Sequence, residues 1–220
     1  MARLIEPDDV ISYWPCDEGT GTDIADDVGG YDGTLTNPGT WDTGYKSRGS
    51  SIVSNGNNTY VAIDDITELD NIATASFALH VKFNTFDVAS FLFKKGAFPA
   101  IQLTYNASNE IVFTSNNKSA TSGTDILELK RWYRLLVVFE GSQADPTDRV
   151  RMYLDGKPLS ITVAADFGAT LPNTTTFKLM NSATSVEGRV ANYVIWGIAL
   201  TDLQARRDAK AMGRGIRFNF

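Results

Sequence analysis

Short runs of alternating hydrophobic and polar residues recur along the chain, many of them rich in β-branched or aromatic side chains. Each run is bounded by Gly, Asn, Asp or Pro, which is typical of antiparallel strands joined by turns, whereas helix-period stretches are nearly absent. The pattern predicts these strands: Ile11–Trp14, Thr59–Ile63, Ser76–Phe83, Phe91–Lys94, Ala100–Tyr105, Glu110–Thr114, Trp132–Glu140, Val150–Leu154, Lys157–Val163, Thr176–Leu179 and Gly188–Trp196. So many strands suit two large sheets better than one small barrel.

The segment Ser76–Phe83 shows the alternation clearly. Its large apolar residues, from Phe77 to Phe83, fall on one face because successive side chains of a strand point to opposite sides. His80 and Lys82 fall on the other face. We therefore expect only one face to be core, with His80 as a partly exposed strand residue rather than a catalytic base.

Turn and cap residues predict where other elements end. Asp155-Gly156 lies between two strand-like runs and predicts a tight hairpin, and Pro158 places the second strand at an edge or a bulge. Thr201-Asp202-Leu203-Gln204 fits a capping box and predicts a short helix that ends near Gly213. The Thr- and Asn-rich segment Ala164–Thr175 is expected to be a long loop.

Composition indicates an ordinary globular protein. The chain has 220 residues, 43% hydrophobic and 21% charged, which favours one domain over residues 1–212 with a tail over 213–220. Its longest apolar runs are far shorter than the ~20 residues that cross a bilayer. The N-terminus has no apolar stretch like that of a signal peptide, so we expect synthesis in the cytoplasm. Cys16 is expected to be a buried thiol.

Charge argues against a nucleic-acid-binding role. The formal net charge is −6 and the pI is about 4.8, whereas nonspecific nucleic-acid binding relies on basic clusters that neutralise phosphates. One basic cluster is present near the C-terminus, and we interpret it as a solvated helix face because no stacking aromatics accompany it. Its members are Arg206, Arg207, Lys210, Arg214 and Arg217.

Several motifs in a fixed order resemble the laminin-G-like, concanavalin A-like jelly-roll family. The first segment, residues 13–22, reads YWPCDEGTGT, and residues 25–35 follow as an Asp-Gly-rich loop that ends in Gly-Thr-Leu before Trp41. Later matches are Val53–Val61, Trp132-Tyr133, and residues 153–157 with the sequence YLDGK. The resemblance covers about residues 11–212 and implies an all-β, two-sheet antiparallel jelly-roll sandwich with one short C-terminal helix.

Catalytic motifs are missing from the sequence. Glycoside hydrolases occur on this fold, but no strand carries a Glu-x-Asp-x-x-Glu arrangement that would project carboxylates onto one face. The acidic segment Asp64–Asp70 is interpreted as a loop. A single histidine and no Gly-x-Ser-x-Gly turn give little support to a nucleophilic triad. We therefore predict a protein that is not an enzyme, with no catalytic residues.

Calcium is the most plausible ion, because hard cations bind several oxygen ligands that Asp- and Asn-rich loops supply. Two loops qualify: Asp23–Asp32, with Asp26 and Asp27, and Asn55–Asn58, with Asn57, which the resemblance places near Asn192. The family often has Asp where this chain has Asn, which implies a weaker site. The alternative is turn chemistry, since Asp and Asn beside Gly favour tight turns without an ion.

A glycan site would need exposed aromatic and amide groups on a face or rim. Trp41, Tyr31, Tyr45, Phe98 and Tyr105 are the candidates, but for each of them we favour core or rim packing over a role as a sugar platform.

Three functions follow, all by analogy with the fold. The first is a non-catalytic surface accessory, of decoration or fibre type, on a virion or similar particle, with weak multivalent glycan binding. The second is a soluble calcium-dependent carbohydrate-binding or adhesion module, and the third is a divergent glycoside hydrolase. In the first, the aromatic tail would dock onto a partner protein or a second copy, or pack on its own domain; its predicted docking residues are Ile216, Arg217, Phe218 and Phe220.

Overall fold

The computed structural model describes residues 7–37, 40–86, 90–97, 100–180 and 185–213. Within them the chain forms strands and one α-helix, with these bounds: β1 Val10–Trp14, β2 Asp23–Ile24, β3 Gly33–Thr36, β4 Trp41–Thr43, β5 Ser50–Asn55, β6 Tyr60–Ile63, β7 Thr74–Phe83, β8 Ser90–Lys95, β9 Ile101–Tyr105, β10 Ile111–Ser115, β11 Lys118–Ser122, β12 Trp132–Glu140, β13 Val150–Leu154, β14 Lys157–Pro158, β15 Ile161–Val163, β16 Phe177–Met180, β17 Glu187–Trp196 and α1 Asp202–Gly213.

The strands form two antiparallel sheets. The eight-stranded sheet has the order β14-β13-β12-β7-β17-β5-β4, and β1 pairs with the second half of β17. The nine-stranded sheet has the order β15-β11-β10-β9-β8-β16-β6-β3-β2. About half of the neighbouring strand pairs in each sheet are distant along the chain, as expected for a jelly-roll sandwich. The architecture confirms the predicted fold class.

The main core lies between the sheets. The apolar face of β7 is almost fully buried there, as its alternation predicts, and Phe77 stacks on Phe93 of the opposite sheet with ring centroids 5.0 Å apart. Trp14 stacks similarly on Phe177 at 5.9 Å. Burying a side chain of this size contributes about 1.5–3 kcal/mol, so this layer is the main source of stability.

Helix α1 covers part of the outer face of the eight-stranded sheet and creates a second, smaller core. Leu200 and Ala205 pack there against the outward side chains of β12, β13 and β17. The helix begins with the predicted reciprocal cap: Thr201 N donates to Gln204 Oε1 at 2.9 Å, and Gln204 N donates to Thr201 Oγ1 at 3.3 Å. No helix of the described residues is long and apolar enough to span a membrane.

This second layer corrects one expectation. Both faces of β7 are buried, and His80 is only 1% exposed, because α1 and the Gly44–Gly49 loop cover the side that sequence alternation left open.

Strand prediction is accurate where apolar residues dominate and fails elsewhere. The bounds of β12 and β13 match exactly, and the segment Ala164–Thr175 contains no strand. The single predicted strand Lys157–Val163 is wrong, because β14 joins the eight-stranded sheet and β15 the nine-stranded one. Strands β2, β3, β4, β5 and β11 were not predicted, since Ser, Thr, Gly and other polar residues hide their alternation.

Candidate functional site

An open pocket of about 450 Å³ lies on the outer face of the eight-stranded sheet, beside α1. His80 from β7 and Arg134 from β12 are adjacent in register and form its buried floor. Tyr45 from the Gly44–Gly49 loop and Trp132 from the start of β12 are half-buried and line its sides. We refer to it as the Tyr45–Trp132 pocket.

The aromatic rings of this pocket form a corner. Tyr45 lies flat on His80, with ring centroids 4.3 Å apart and an interplanar angle of 10°. Trp132 meets Tyr45 edge to face, at 6.0 Å and 87°. Both arrangements are favourable aromatic geometries. The two partly exposed rings, Tyr45 and Trp132, therefore present perpendicular apolar surfaces side by side in the pocket.

The loop that carries Tyr45 has an unusual backbone. Lys46 and Ser47 both have left-handed conformations, with φ of 51° and 60°, which non-glycine residues adopt only at an energetic cost. Backbone bonds hold the loop closed: Gly44 N donates to Gly49 O at 3.1 Å and Ser47 N donates to Gly44 O at 3.2 Å. This strained turn places the Tyr45 ring over His80.

A chain of hydrogen-bonded polar side chains orients His80. Tyr13 Oη donates to Asn192 Oδ1 at 3.0 Å, and Asn192 Nδ2 lies 3.3 Å from His80 Nδ1. Asn192 reaches both partners because it sits in a bulge of β17 with φ of 52°. Since its oxygen accepts from Tyr13, its amide nitrogen donates to Nδ1, which assigns the imidazole proton to Nε2.

His80 is a neutral group at pH 7. Burial is the main cause that holds the pKa of His80 well below its usual range, and the nearby cations Arg134 and Lys46 act in the same direction. The ring therefore supports Tyr45 as an uncharged platform and adds no positive charge to the pocket.

Arg134 ties the floor of the pocket to α1. Its Nε and Nη2 atoms each donate to the Asp208 carboxylate at 2.9 Å, and Nη1 donates to the Asn192 carbonyl at 2.7 Å. Both charged side chains are almost fully buried. This bidentate pair fixes the helix against the sheet and leaves the guanidinium charge largely neutralised.

The rim of the pocket is basic. Lys46, Arg131 and Lys210 are exposed around its mouth, and Asp155 supplies a carboxylate. Asp155 is already engaged, since Oδ1 accepts from Arg134 N at 2.9 Å and Oδ2 accepts from Arg131 Nη2 at 3.2 Å. A chain with a net charge of −6 thus concentrates positive charge at this pocket.

The sequence matches the model of one known protein family. The model of the concanavalin A-like lectin/glucanases superfamily matches residues 55–206, more than half of the chain. The chain belongs to this superfamily. No curated protein sequence matches it. The family resemblance of the sequence is therefore confirmed, and because this fold carries many different functions, the function depends on the site.

Solved structures show the same fold at low identity. The binding domain of Paraclostridial Mosquitocidal Protein 1 has a TM-score of 0.72 and 8% identity over 94% of this chain and 53% of its own. Domain 4 of AbnA, an arabinanase from Geobacillus stearothermophilus in complex with arabinotriose, has a TM-score of 0.69 and 17% identity, covering 91% of this chain and 98% of its own.

Sialidases are also similar in fold. Trypanosoma rangeli sialidase in complex with sialic acid has a TM-score of 0.69 and 16% identity, covering 93% of this chain and 33% of the sialidase. The chain thus spans about a third of the length of these sialidases. At such identities the matches establish the fold alone.

Asp26, the first predicted calcium ligand, has both carboxylate oxygens bonded to backbone N–H groups. Its Oδ1 accepts backbone N–H bonds from Tyr13 at 2.9 Å and from Val28 and Gly29 at 3.0 Å each, and its Oδ2 accepts from Tyr31 N at 3.0 Å. Four N–H dipoles already satisfy this carboxylate, as in the turn-chemistry alternative. Asp26 therefore organises its loop.

The other predicted ligands are spread over the fold. Asp27 is exposed beside Asp26, and burial followed by the charge of Asp26 raises its pKa. Asn57 is exposed on the β5–β6 loop, whose Gly56 faces Glu187. Asn192 lies five residues beyond Glu187 in β17, which is about 16 Å from Glu187 at the usual strand rise. The described part of the chain contains no metal-binding group of three His, Cys, Asp or Glu residues, and calcium binding stays a prediction.

Among the predicted glycan aromatics that the structure describes, only Tyr45 lines the pocket. Tyr105 is buried core, Trp41 donates Nε1 to Gly21 O at 3.2 Å, and Tyr31 Oη bonds to Glu68. Phe98 lies outside the described residues, as do the predicted docking residues Ile216, Arg217, Phe218 and Phe220. Sequence reasoning missed Trp132 as a site residue, because it treated this residue only as the start of a strand.

Proposed function

We propose that this chain is a non-catalytic glycan-binding module that holds its ligand in the Tyr45–Trp132 pocket. One observation carries the proposal: two half-buried aromatic rings meet at right angles on a rigid sheet, with charged polar groups around them. Sugars offer apolar C–H faces to such rings and hydroxyl groups to the polar rim, and a few polar groups in an apolar site give selectivity.

The fold neighbours support the same ligand class. The arabinanase domain was solved with arabinotriose and the sialidase with sialic acid. Those ligands belong to those proteins. They support the idea that a module of this shape serves carbohydrate recognition, and the pocket geometry suggests where this chain would do so.

We propose that the chain is not catalytic because the described lining of the pocket lacks a pair of available carboxylates. A glycosidase of the usual type needs two of them beside the scissile bond. Among the described residues that line the pocket, Asp155 is the only carboxylate, and its oxygens are bonded to Arg131 and to the Arg134 backbone. The described central strands of the nine-stranded sheet offer no such pair either, because their outward side chains are mostly neutral or basic, such as Gln102, Thr104 and Lys178.

A role as a surface accessory of a virion or similar particle stays a second, sequence-based proposal. It is compatible with the first, because many copies on a particle would make weak glycan binding effective. Co-sedimentation of the full chain with particles tests it, and glycan binding measured with and without EDTA separates it from a soluble calcium-dependent lectin.

The test of glycan binding uses the variants Trp132→Ala and Tyr45→Ala on an array of defined oligosaccharides. Each should weaken binding of every wild-type ligand about tenfold, because an aromatic contact is worth about 1.5 kcal/mol. Tyr60→Ala is the matched control, since Tyr60 is a half-buried aromatic on the outer face of the other sheet.

Unfolding midpoints should show that all three variants remain folded. Wild-type affinity in Trp132→Ala, or loss of binding in Tyr60→Ala, would place the glycan site elsewhere. Release of reducing ends from any bound oligosaccharide would refute the non-catalytic assignment.

A further inference from the structure

A second open pocket, of about 420 Å³, adjoins the Tyr45–Trp132 pocket. The two share Asp155, Ala209 and Lys210 as lining residues. The second continues along the β13–β14 hairpin, past Lys157 and Pro158, toward Arg206 on α1. Together they make one surface groove that is longer than a single pocket, and we call it the hairpin–helix groove.

Close packing of the hairpin on the helix builds this groove. Asp155 and Gly156 have φ of 52° and 76°, the left-handed pair that a two-residue hairpin requires. A Cβ at Gly156 would lie 3.0 Å from both the Ala209 Cβ and the Arg206 Cα. The turn therefore lies directly against α1, which keeps Lys157 and Arg206 at the same groove.

The groove is strongly basic. Its exposed cations are Lys46, Arg131, Lys157, Arg206 and Lys210. Asp155 is the only carboxylate among the described lining residues. Arg206 and Lys210 are one helical turn apart, about 6 Å along the axis, so they lie on the same side of α1. The cations are thus arranged along the groove.

The geometry points to a ligand of one chemical class: we propose that the hairpin–helix groove binds an acidic oligosaccharide. One sugar would occupy the aromatic corner, and the carboxylate or sulfate groups of its neighbours would pair with Lys157, Arg206 and Lys210. This inference rests on the proposed glycan-binding function and adds the charge of the ligand and the direction in which its chain runs.

Nucleic acid fits this groove less well. Single-stranded nucleic acid is bound by aromatic side chains that stack successive bases along a basic groove, but among the described lining residues the aromatic rings are confined to the corner at Tyr45 and Trp132. A net charge of −6 on the chain also opposes a long polyanion beyond the groove. A short acidic glycan matches both the corner and the limited length of the basic surface.

The test compares three defined tetrasaccharides by calorimetry: neutral cellotetraose, carboxylate-bearing tetragalacturonate and a sulfated chondroitin tetrasaccharide. A second measurement screens a broad array of neutral and acidic glycans. Acidic glycans should dominate the binders, and their affinity should fall as salt is raised. Lys157→Gln, Arg206→Gln and Lys210→Gln should each weaken acidic binding about two- to tenfold. Arg207→Gln is the matched control, because Arg207 is exposed on the same helix and lines neither pocket.

The outcomes separate the two proposals. Binding of neutral glycans, lost in Trp132→Ala but unchanged in the three charge variants, would overturn the acidic ligand and keep the glycan site. Binding of no glycan of either kind would overturn both. Tighter binding of a single-stranded oligonucleotide than of any acidic glycan would also overturn this inference, whereas either the carboxylate or the sulfate arm can support it.

Discussion

Removing Asp208 should both destabilise the protein and loosen α1. Asp208 accepts two bonds of 2.9 Å from the Arg134 guanidinium, and the two side chains are 0% and 3% exposed. In Asp208→Ala the arginine charge stays buried without its carboxylate, and breaking such a pair costs about 3–5 kcal/mol. That is a large part of the 5–15 kcal/mol that typically holds a protein folded.

Urea unfolding followed by tryptophan fluorescence measures this loss. For a chain of this size, 3–5 kcal/mol corresponds to roughly a 10 °C fall in the melting temperature. Glu128→Ala is the control, since Glu128 and Arg131 form an exposed ion pair with side chains 73% and 52% exposed and should contribute less than about 1 kcal/mol.

A double variant gives the sharper test. Replacing both partners, Arg134→Met with Asp208→Leu, removes the buried charges together and should recover much of the lost stability. A cost below about 1 kcal/mol for Asp208→Ala would refute the reasoning, because it would mean that solvent reaches Arg134 and that the pair does not anchor the helix.

The remaining predictions concern one more buried charge and the buried histidine. Lys95 is 0% exposed and bonds at 2.7 Å each to Asp65 and Asp70, which are 34% and 14% exposed. Lys95→Ala should lower the free energy of unfolding by about 2–3 kcal/mol, less than for a fully buried pair because solvent reaches the carboxylates that remain; an unchanged urea midpoint would contradict this. The pKa of His80 is lowered by burial and by Arg134. Below about pH 6.5 the unfolded chain therefore binds more protons at this residue than the folded chain does, and the free energy of unfolding should fall as the pH is lowered through that range. His80→Gln should show a smaller drop in urea midpoint between pH 7.5 and pH 5.5, and an equal drop would show that His80 does not cause it.

The sequence determined most of the fold by itself. Alternation placed β7, β12, β13 and β17 to within two residues, and Thr201 with Gln204 marked the start of α1. These signals are readable because they are local: side chains alternate along a strand, and a cap joins residues three positions apart. Ordered family motifs then indicated the two-sheet sandwich, which the fold and the family match confirm.

Only the tertiary structure decided the candidate site. Tyr45, His80, Trp132 and Lys210 come from four distant segments, and long-range strand pairing and the docking of α1 bring them together. Periodicity describes the surroundings of one element at a time, so it left one face of β7 open although a helix from the other end of the chain covers part of it. Asp26 shows the same limit. Its type and loop suggest a metal ligand, but the folded loop directs four N–H groups at its carboxylate, and a sequence does not record where backbone donors point.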